Sequence, residues 1–99
     1  VEAIDDAVPQ AFALEQNYPN PFNPTTTIQF DLGASGTVSL FVYDILGRQV
    51  ATLLDNESMG EGRQEVEFDA RGLASGVYFY RIAFNDGEFQ QMKKMLLMK

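Results

Sequence analysis

From Thr26 onward the sequence repeatedly alternates apolar and polar residues, and turn-forming residues break the alternation at intervals of about 8–12 residues. A period of two puts successive side chains on opposite faces of an extended chain, so this pattern commits the chain to strands that each bury one face. No window keeps the 3.6-residue spacing of a long amphipathic helix. The stretch Asp55–Gly62 is too short and too rich in helix breakers to form one, and is expected to be a polar loop.

Phe12–Leu14 is expected to open the first strand. Thr26–Leu32 places Ile28, Phe30 and Leu32 on one face. Val38–Tyr43 places Val38, Leu40 and Val42 inward, with Ser39, Phe41 and Tyr43 on the other face. Gly33–Gly36 is a turn between them. Asp44–Arg48 reads as a tight reversal in which Gly47 supplies the positive φ. Gln49–Leu54 follows, with Val50 its clearest inward residue, then Gln64–Asp69 with Val66 and Phe68 inward. Ala70–Gly76 is a compact turn. Val77–Phe84, β-branched or aromatic on both faces, is expected to be central and covered on both sides. Asn85-Asp86-Gly87 is a hairpin signal leading into a last strand, Glu88–Met98. About seven short strands in one small chain predict an all-β fold, an immunoglobulin-like antiparallel β-sandwich, without the Cys–Trp–Cys core of antibody domains.

The 99 residues make one domain, 12–99, preceded by an acidic linker, Val1–Ala11. The chain lacks a starting Met and a signal peptide, and reads as a piece of a longer exported protein. No apolar run approaches the ~20 residues that span a bilayer, so no membrane insertion is expected. The net charge of -7 argues against nucleic acid or anionic lipid as a partner. The three lysines, Lys93, Lys94 and Lys99, all lie at the C-terminal end.

With no Cys and no His, the usual nucleophile, general base and transition-metal ligands are missing. No Gly-x-Ser-x-Gly elbow or phosphate-cradling loop is present. Glu65, Glu67 and Asp69 share one strand face, but alternation with Val66 and Phe68 is the mark of a solvated sheet surface rather than a carboxylate pair. Asp55, Asn56 and Glu57, and Asn85, Asp86 and Glu88, lack calcium-loop spacing and read as turn residues bonding their own backbone. Phe41, Tyr43, Tyr78, Tyr80 and Phe84 read as packing rather than a sugar platform. The chain is therefore expected to be no enzyme, with no catalytic residues, cofactor or metal.

Three segments stand out together. The first is Asn17-Tyr18-Pro19-Asn20-Pro21-Phe22-Asn23-Pro24-Thr25-Thr26-Thr27-Ile28, whose prolines exclude a helix or a central strand. It is expected to be a rigid loop, because Tyr18 and Phe22 are costly to leave in water. The second is Val42-Tyr43-Asp44-Ile45-Leu46-Gly47-Arg48-Gln49-Val50. The third is Leu73-Ala74-Ser75-Gly76-Val77-Tyr78-Phe79-Tyr80-Arg81-Ile82, followed by Met92–Lys99. In order, spacing and terminal position they closely resemble the type A C-terminal sorting domain of the type IX secretion system of Bacteroidetes. The profile is also similar to the immunoglobulin-like domain of flagellar hook-capping proteins, which makes an assembly module the alternative. An accessory spacer or carbohydrate-binding sandwich of an extracellular hydrolase is a third reading.

The sorting-domain resemblance implies an upstream cargo in the same chain, transit through the periplasm, and passage through an outer-membrane translocon to the cell surface or medium. It further implies removal by a cell-surface sortase, with the exposed Val1–Ala11 tail the expected place of cleavage. The residues expected to carry recognition are Pro19, Asn20, Pro21, Gly47, Arg48, Gly76, Tyr78, Lys93, Lys94 and Lys99. Pro19, Asn20 and Pro21 stiffen a loop before it docks. Gly47 and Gly76 serve turns, and Tyr78 is placed to be a corner tyrosine. Lys93, Lys94 and Lys99 flank an edge that a receptor can pair with by strand addition. Deleting Lys94–Lys99 is then expected to abolish export yet leave the domain folded. An exposed last strand also allows a weak strand-swapped dimer beside the monomer.

Overall fold

The computed structural model describes residues 12–99 and is all-β there; the expected linker and its cleavage point lie outside the described residues. Seven antiparallel strands run in chain order: β1 (Ala13–Leu14), β2 (Thr25–Leu32), β3 (Gly36–Tyr43), β4 (Gln49–Met59), β5 (Gly62–Asp69), β6 (Gly76–Phe84) and β7 (Phe89–Leu97). They form two sheets, β1-β2-β5 and β4-β3-β6-β7, packed as a sandwich. No helix among the described residues is long and apolar enough to cross a membrane.

The alternation read from the sequence is the alternation that packs. On β2, Thr26, Ile28, Phe30 and Leu32 are buried and the residues between them are not; on β6 the buried set is Tyr78, Tyr80, Ile82 and Phe84. β3 contributes Val38, Leu40 and Val42, and β7 contributes Met95 and Leu97. Burying each such side chain is worth about 1.5–3 kcal/mol. Phe12 stacks against Phe84 and Phe89 at one end of the core, with centroids 4.9 and 5.2 Å apart, and Phe22 meets Phe68 toward the other.

Two expectations about the strands need correction. Asp55–Gly62 is not a loop: β4 continues to Met59, and three register shifts against β3 absorb its extra residues, with Asn56 at φ 52°. Bulges let a strand stay paired through polar sequence that lacks clean alternation. Nor is β6 covered on both sides. It lies inside its sheet, but Val77, Phe79, Arg81 and Ala83 on its outer face are only half-buried, because a two-layer sandwich covers one face of each sheet.

The registers fix which loops share an end. Thr25 pairs with Asp69, Tyr43 with both Gln49 and Phe79, and Gly76 with Leu97. The proline loop before β2, the β3–β4 turn, the β5–β6 turn and the end of β7 therefore gather at one end of the sandwich. The chain reaches β1 at the other end, where Ala13 pairs with Asp31 and Phe12 packs on Phe84.

Candidate functional site

The motif residues scattered through the sequence come together at that one end, held by four local devices. The first is a polar knot under the proline loop. Asn17 and Thr26 are both 2% exposed. The Asn17 amide donates to Thr26 Oγ1 (2.9 Å) and to the Pro19 carbonyl (3.2 Å), and Thr26 Oγ1 donates to the same carbonyl at 2.8 Å. Buried polar groups are tolerable only when so paired. The Asn17 backbone N–H donates to the Tyr80 hydroxyl (2.8 Å), which donates onward to the Glu15 carbonyl (2.7 Å). Burial of that phenol, with the bond from Asn17 opposing it, pushes its pKa up to about 12. These bonds tie the loop to the sandwich, and Phe22 is buried as expected; Tyr18, however, stands 80% exposed. The hydrogen bonds of Asn17 hold the loop, so Tyr18 is not needed as an anchor.

The second device joins this loop to the last strand. Asn20 Oδ1 accepts from the Leu96 N–H at 2.9 Å, the Phe22 N–H donates to the Leu96 carbonyl at 3.0 Å, and the Met98 N–H donates to the Phe22 carbonyl at 2.9 Å. Gln16 Nε2 donates to the Lys94 carbonyl at 2.7 Å. These groups lie on the outer edge of β7, so the terminal half of that edge is already occupied. The expectation that the lysine-flanked last strand offers an open edge for strand addition or exchange is corrected from Lys94 to Met98 by this covering, one of the recognised ways a protein blunts an edge.

The third device is the β3–β4 turn. Gly47 has φ 85°, a left-handed conformation that a side chain would strain. Its N–H donates to the Asp44 carbonyl at 2.9 Å, while Asp44 Oδ1 accepts from the N–H of Leu46 and of Arg48, each at 2.9 Å. Arg48 Nε reaches Asp44 Oδ2 at 2.8 Å. The bond from the Arg48 backbone, reinforced by its guanidinium, holds the Asp44 carboxyl below the usual carboxylate range. Asp44 thus organises the turn that Gly47 permits. The sequence signal for it, an Asp opening a turn four residues before Arg, was present but gave no role.

The fourth is the β5–β6 turn. Tyr78 donates its hydroxyl proton to the Ala74 carbonyl at 2.7 Å, and Gly76, φ 151°, starts β6. The Lys99 backbone N–H donates to Ser75 Oγ at 3.0 Å and its Nζ to the Arg71 carbonyl at 2.8 Å.

The three lysines do not form one cluster. Lys94 is exposed on the outer sheet face opposite Phe79, Lys93 is half-buried opposite Tyr80 on the inner side, and Lys99 is tied to the β5–β6 turn. Met95 and Leu97 between them are core residues, 1% and 0% exposed. This corrects the expectation that Lys94–Lys99 can be removed from a folded domain. Glu65, Glu67 and Asp69 stay on the solvated face of β5, with Asp69 held by Arg71. Among the described residues no cluster of carboxylates has the arrangement of a metal site.

The family described as the secretion system C-terminal sorting domain matches residues 16–98. No curated protein matches the chain. Solved structures similar to it include two of different kinds. One is PorZ, described as an essential bacterial surface component of the type IX secretion system of Porphyromonas gingivalis. It has a TM-score of 0.62 and 21% identity, over 95% of this chain and 12% of PorZ, so the chain spans a small part of that protein. The other is CopC from Methylosinus trichosporium OB3b, with a TM-score of 0.56 and 17% identity, over 87% of this chain and 92% of CopC. At these identities the likeness shows the shared β-sandwich.

Proposed function

Because this chain belongs to the family of secretion system C-terminal sorting domains, we propose that it directs an attached cargo protein through the outer membrane by the type IX route. The family is one of sorting signals and not of enzymes. The observation that carries the reading is the segregation of the motif loops. Residues 17–24, Asp44–Arg48, residues 70–76 and the end of β7 share one end of the sandwich, while the chain enters β1 at the other. A cargo attached ahead of β1 leaves the motif end open to a receptor.

In this reading Pro19, Asn20 and Pro21 hold one surface of the motif end, Gly47 and Arg48 a second, and Gly76, Tyr78 and Lys99 a third. Their rigidity lowers the ordering cost of docking. Lys94 stands beside them on the outer face, and Lys93 lies on the inner side of the same strand end. The cargo folds in the periplasm, meets the outer-membrane translocon through this end, and reaches the cell surface or medium. A cell-surface sortase then cuts ahead of the sandwich and anchors the cargo.

The test is fusion of the 99-residue chain to a periplasmic reporter in a host with a type IX system. Export of the reporter, lost when the translocon is deleted, supports the proposal. Retention of an intact, folded fusion in the periplasm overturns it. Mass spectrometry of the exported reporter's new C-terminus tests the sortase step separately.

A further inference from the structure

The outer face of β3, β6 and β7 departs from the rest of this acidic chain. The outward positions of β3, β6 and β7 include Phe41, Tyr43, Phe79, Arg81, Met92 and Lys94, two cations with no carboxylate among these strands' outward residues. Arg81 lies across the aromatic side chains, its guanidinium carbon 5.6 Å from the Phe41 ring centre and 5.7 Å from that of Tyr43. It donates to the Tyr43 hydroxyl at 3.0 Å and to Gln90 Oε1 at 3.1 Å. Two of its five N–H donors are thereby engaged, leaving others for a carboxylate.

Beside Arg81 is a shallow concavity of about 320 Å³, lined by Tyr43, Asp44, Ile45, Gly47, Phe79, Arg81 and Met92. Ile45 is 71% exposed, its neighbour Leu46 73% and Met92 51%. Large apolar side chains standing together in water mark an interaction site more often than scattered ones do. Asp44, the one acid at its rim, has its carboxylate committed to Leu46 and Arg48.

We infer that this concavity is a docking site for a protein partner that presents an apolar side chain flanked by a carboxylate. The apolar side chain fills the space between Ile45, Phe79 and Met92, and the carboxylate meets Arg81, with Lys94 close by on the same face. Charge decides between a protein and an anionic membrane. Two cations draw a surface by about 1 kcal/mol each, and a chain of net charge -7 is repelled by the same surface. The inference rests on the sorting reading, because the concavity opens beside the motif end and uses its β3–β4 turn.

The experiment uses the reporter fusion with Ile45→Asp, Met92→Glu and Arg81→Glu, and Glu67→Lys on the outer face of the other sheet as control. Ile45→Asp and Met92→Glu, at exposed positions, are expected to keep the thermal midpoint and to lower export at least about tenfold, the loss of one strong contact. Arg81→Lys is expected to retain more export than Arg81→Glu. A benzophenone amino acid in place of Ile45 is expected to crosslink to a polypeptide, and Arg81→Glu to remove that adduct. Export of the wild-type fusion together with full export of Ile45→Asp and Met92→Glu overturns the docking site while leaving the sorting role standing. Failure of the wild-type fusion itself overturns the sorting role. Sedimentation with phosphatidylglycerol vesicles that Arg81→Glu abolishes replaces the protein partner with a membrane and overturns the inference.

Discussion

Asn20 and Leu96 are 76 positions apart, and Asn20 Oδ1 accepts the Leu96 backbone N–H at 2.9 Å. That bond ties the first motif of the sequence to the last strand. Leu96 is paired by its carbonyl to Phe22 as well, so the proline loop acts as a short partial strand along β7. The outer end of the sheet is thereby closed by a segment whose prolines cannot propagate pairing.

Removing the Asn20 side chain tests this closure. Asn20→Ala is expected to destabilise the domain by about 1 kcal/mol, the net worth of one hydrogen bond. Amide exchange should quicken at Leu96 and Met98 and stay unchanged in the middle of β6. Unchanged exchange at both would show that Phe22 alone holds the edge.

Tyr80 carries a second prediction, with a definite pH signature. Its pKa is raised from 10.0 to about 12, chiefly by burial. A phenol raised above its unfolded value contributes stability that is fully present below pH 10 and is lost as pH rises through about 12. Two pH units correspond to about 3 kcal/mol. Stability is therefore expected to fall by that amount between these limits, read as a lower urea midpoint at the upper one, with Tyr80 phenolate absorbance appearing alongside it. Tyr80→Phe removes the partner of both the Asn17 N–H and the Glu15 carbonyl, an expected loss of about 1–3 kcal/mol at neutral pH. It should also abolish this alkaline step. An alkaline transition that persists in Tyr80→Phe would assign it to another group.

The last strand separates folding from recognition. Deleting Lys94–Lys99 removes Met95 and Leu97 from the core. Each truncation of such a residue costs about 2–5 kcal/mol, against a total of about 5–15 kcal/mol for a domain. The deleted chain is expected to be unfolded by circular dichroism, so its failure to export would say nothing of recognition. Lys94→Ala changes only an exposed side chain and is expected to leave the melting midpoint within about 2 °C, a few tenths of a kcal/mol. A large loss of export by that variant would assign Lys94 to the read-out; full export would remove it.

The sandwich was legible because the alternation on β2, β3 and β6 is regular and their buried residues are the ones the period selects. β4 was legible only to Leu54, since bulges break the alternation and Asp55, Asn56 and Glu57 mimic a loop. The recognition residues were legible as motifs, yet their relationships were not. Nothing in one dimension places Asn20 on Leu96, or brings the Lys99 ammonium to the Arg71 carbonyl. Asn17 and Asp44 escaped notice as organisers because a residue that satisfies buried or turn N–H groups carries the same letter as one that merely solvates a loop.

The β3–β4 turn gives the last prediction, because it shapes the apolar concavity without filling the core. The bond from the Arg48 backbone holds Asp44 below the ordinary carboxylate range. A depressed carboxyl contributes order that is present above its unfolded value, about 3.9, and is lost as pH falls through the lower folded one. The turn is therefore expected to keep its amide protection at pH 4 and to lose it on further acidification. Asp44→Asn removes the ion pair with Arg48, and should loosen the turn at neutral pH and flatten that acid dependence. Gly47→Ala, forced into a left-handed conformation, should cost about 1–2 kcal/mol. Both variants displace Ile45 and Leu46 while the strands stay paired. Export is expected to fall in each even where circular dichroism shows an intact sandwich. Full export from a turn shown by amide exchange to be loosened would mean that recognition does not read this end of β3.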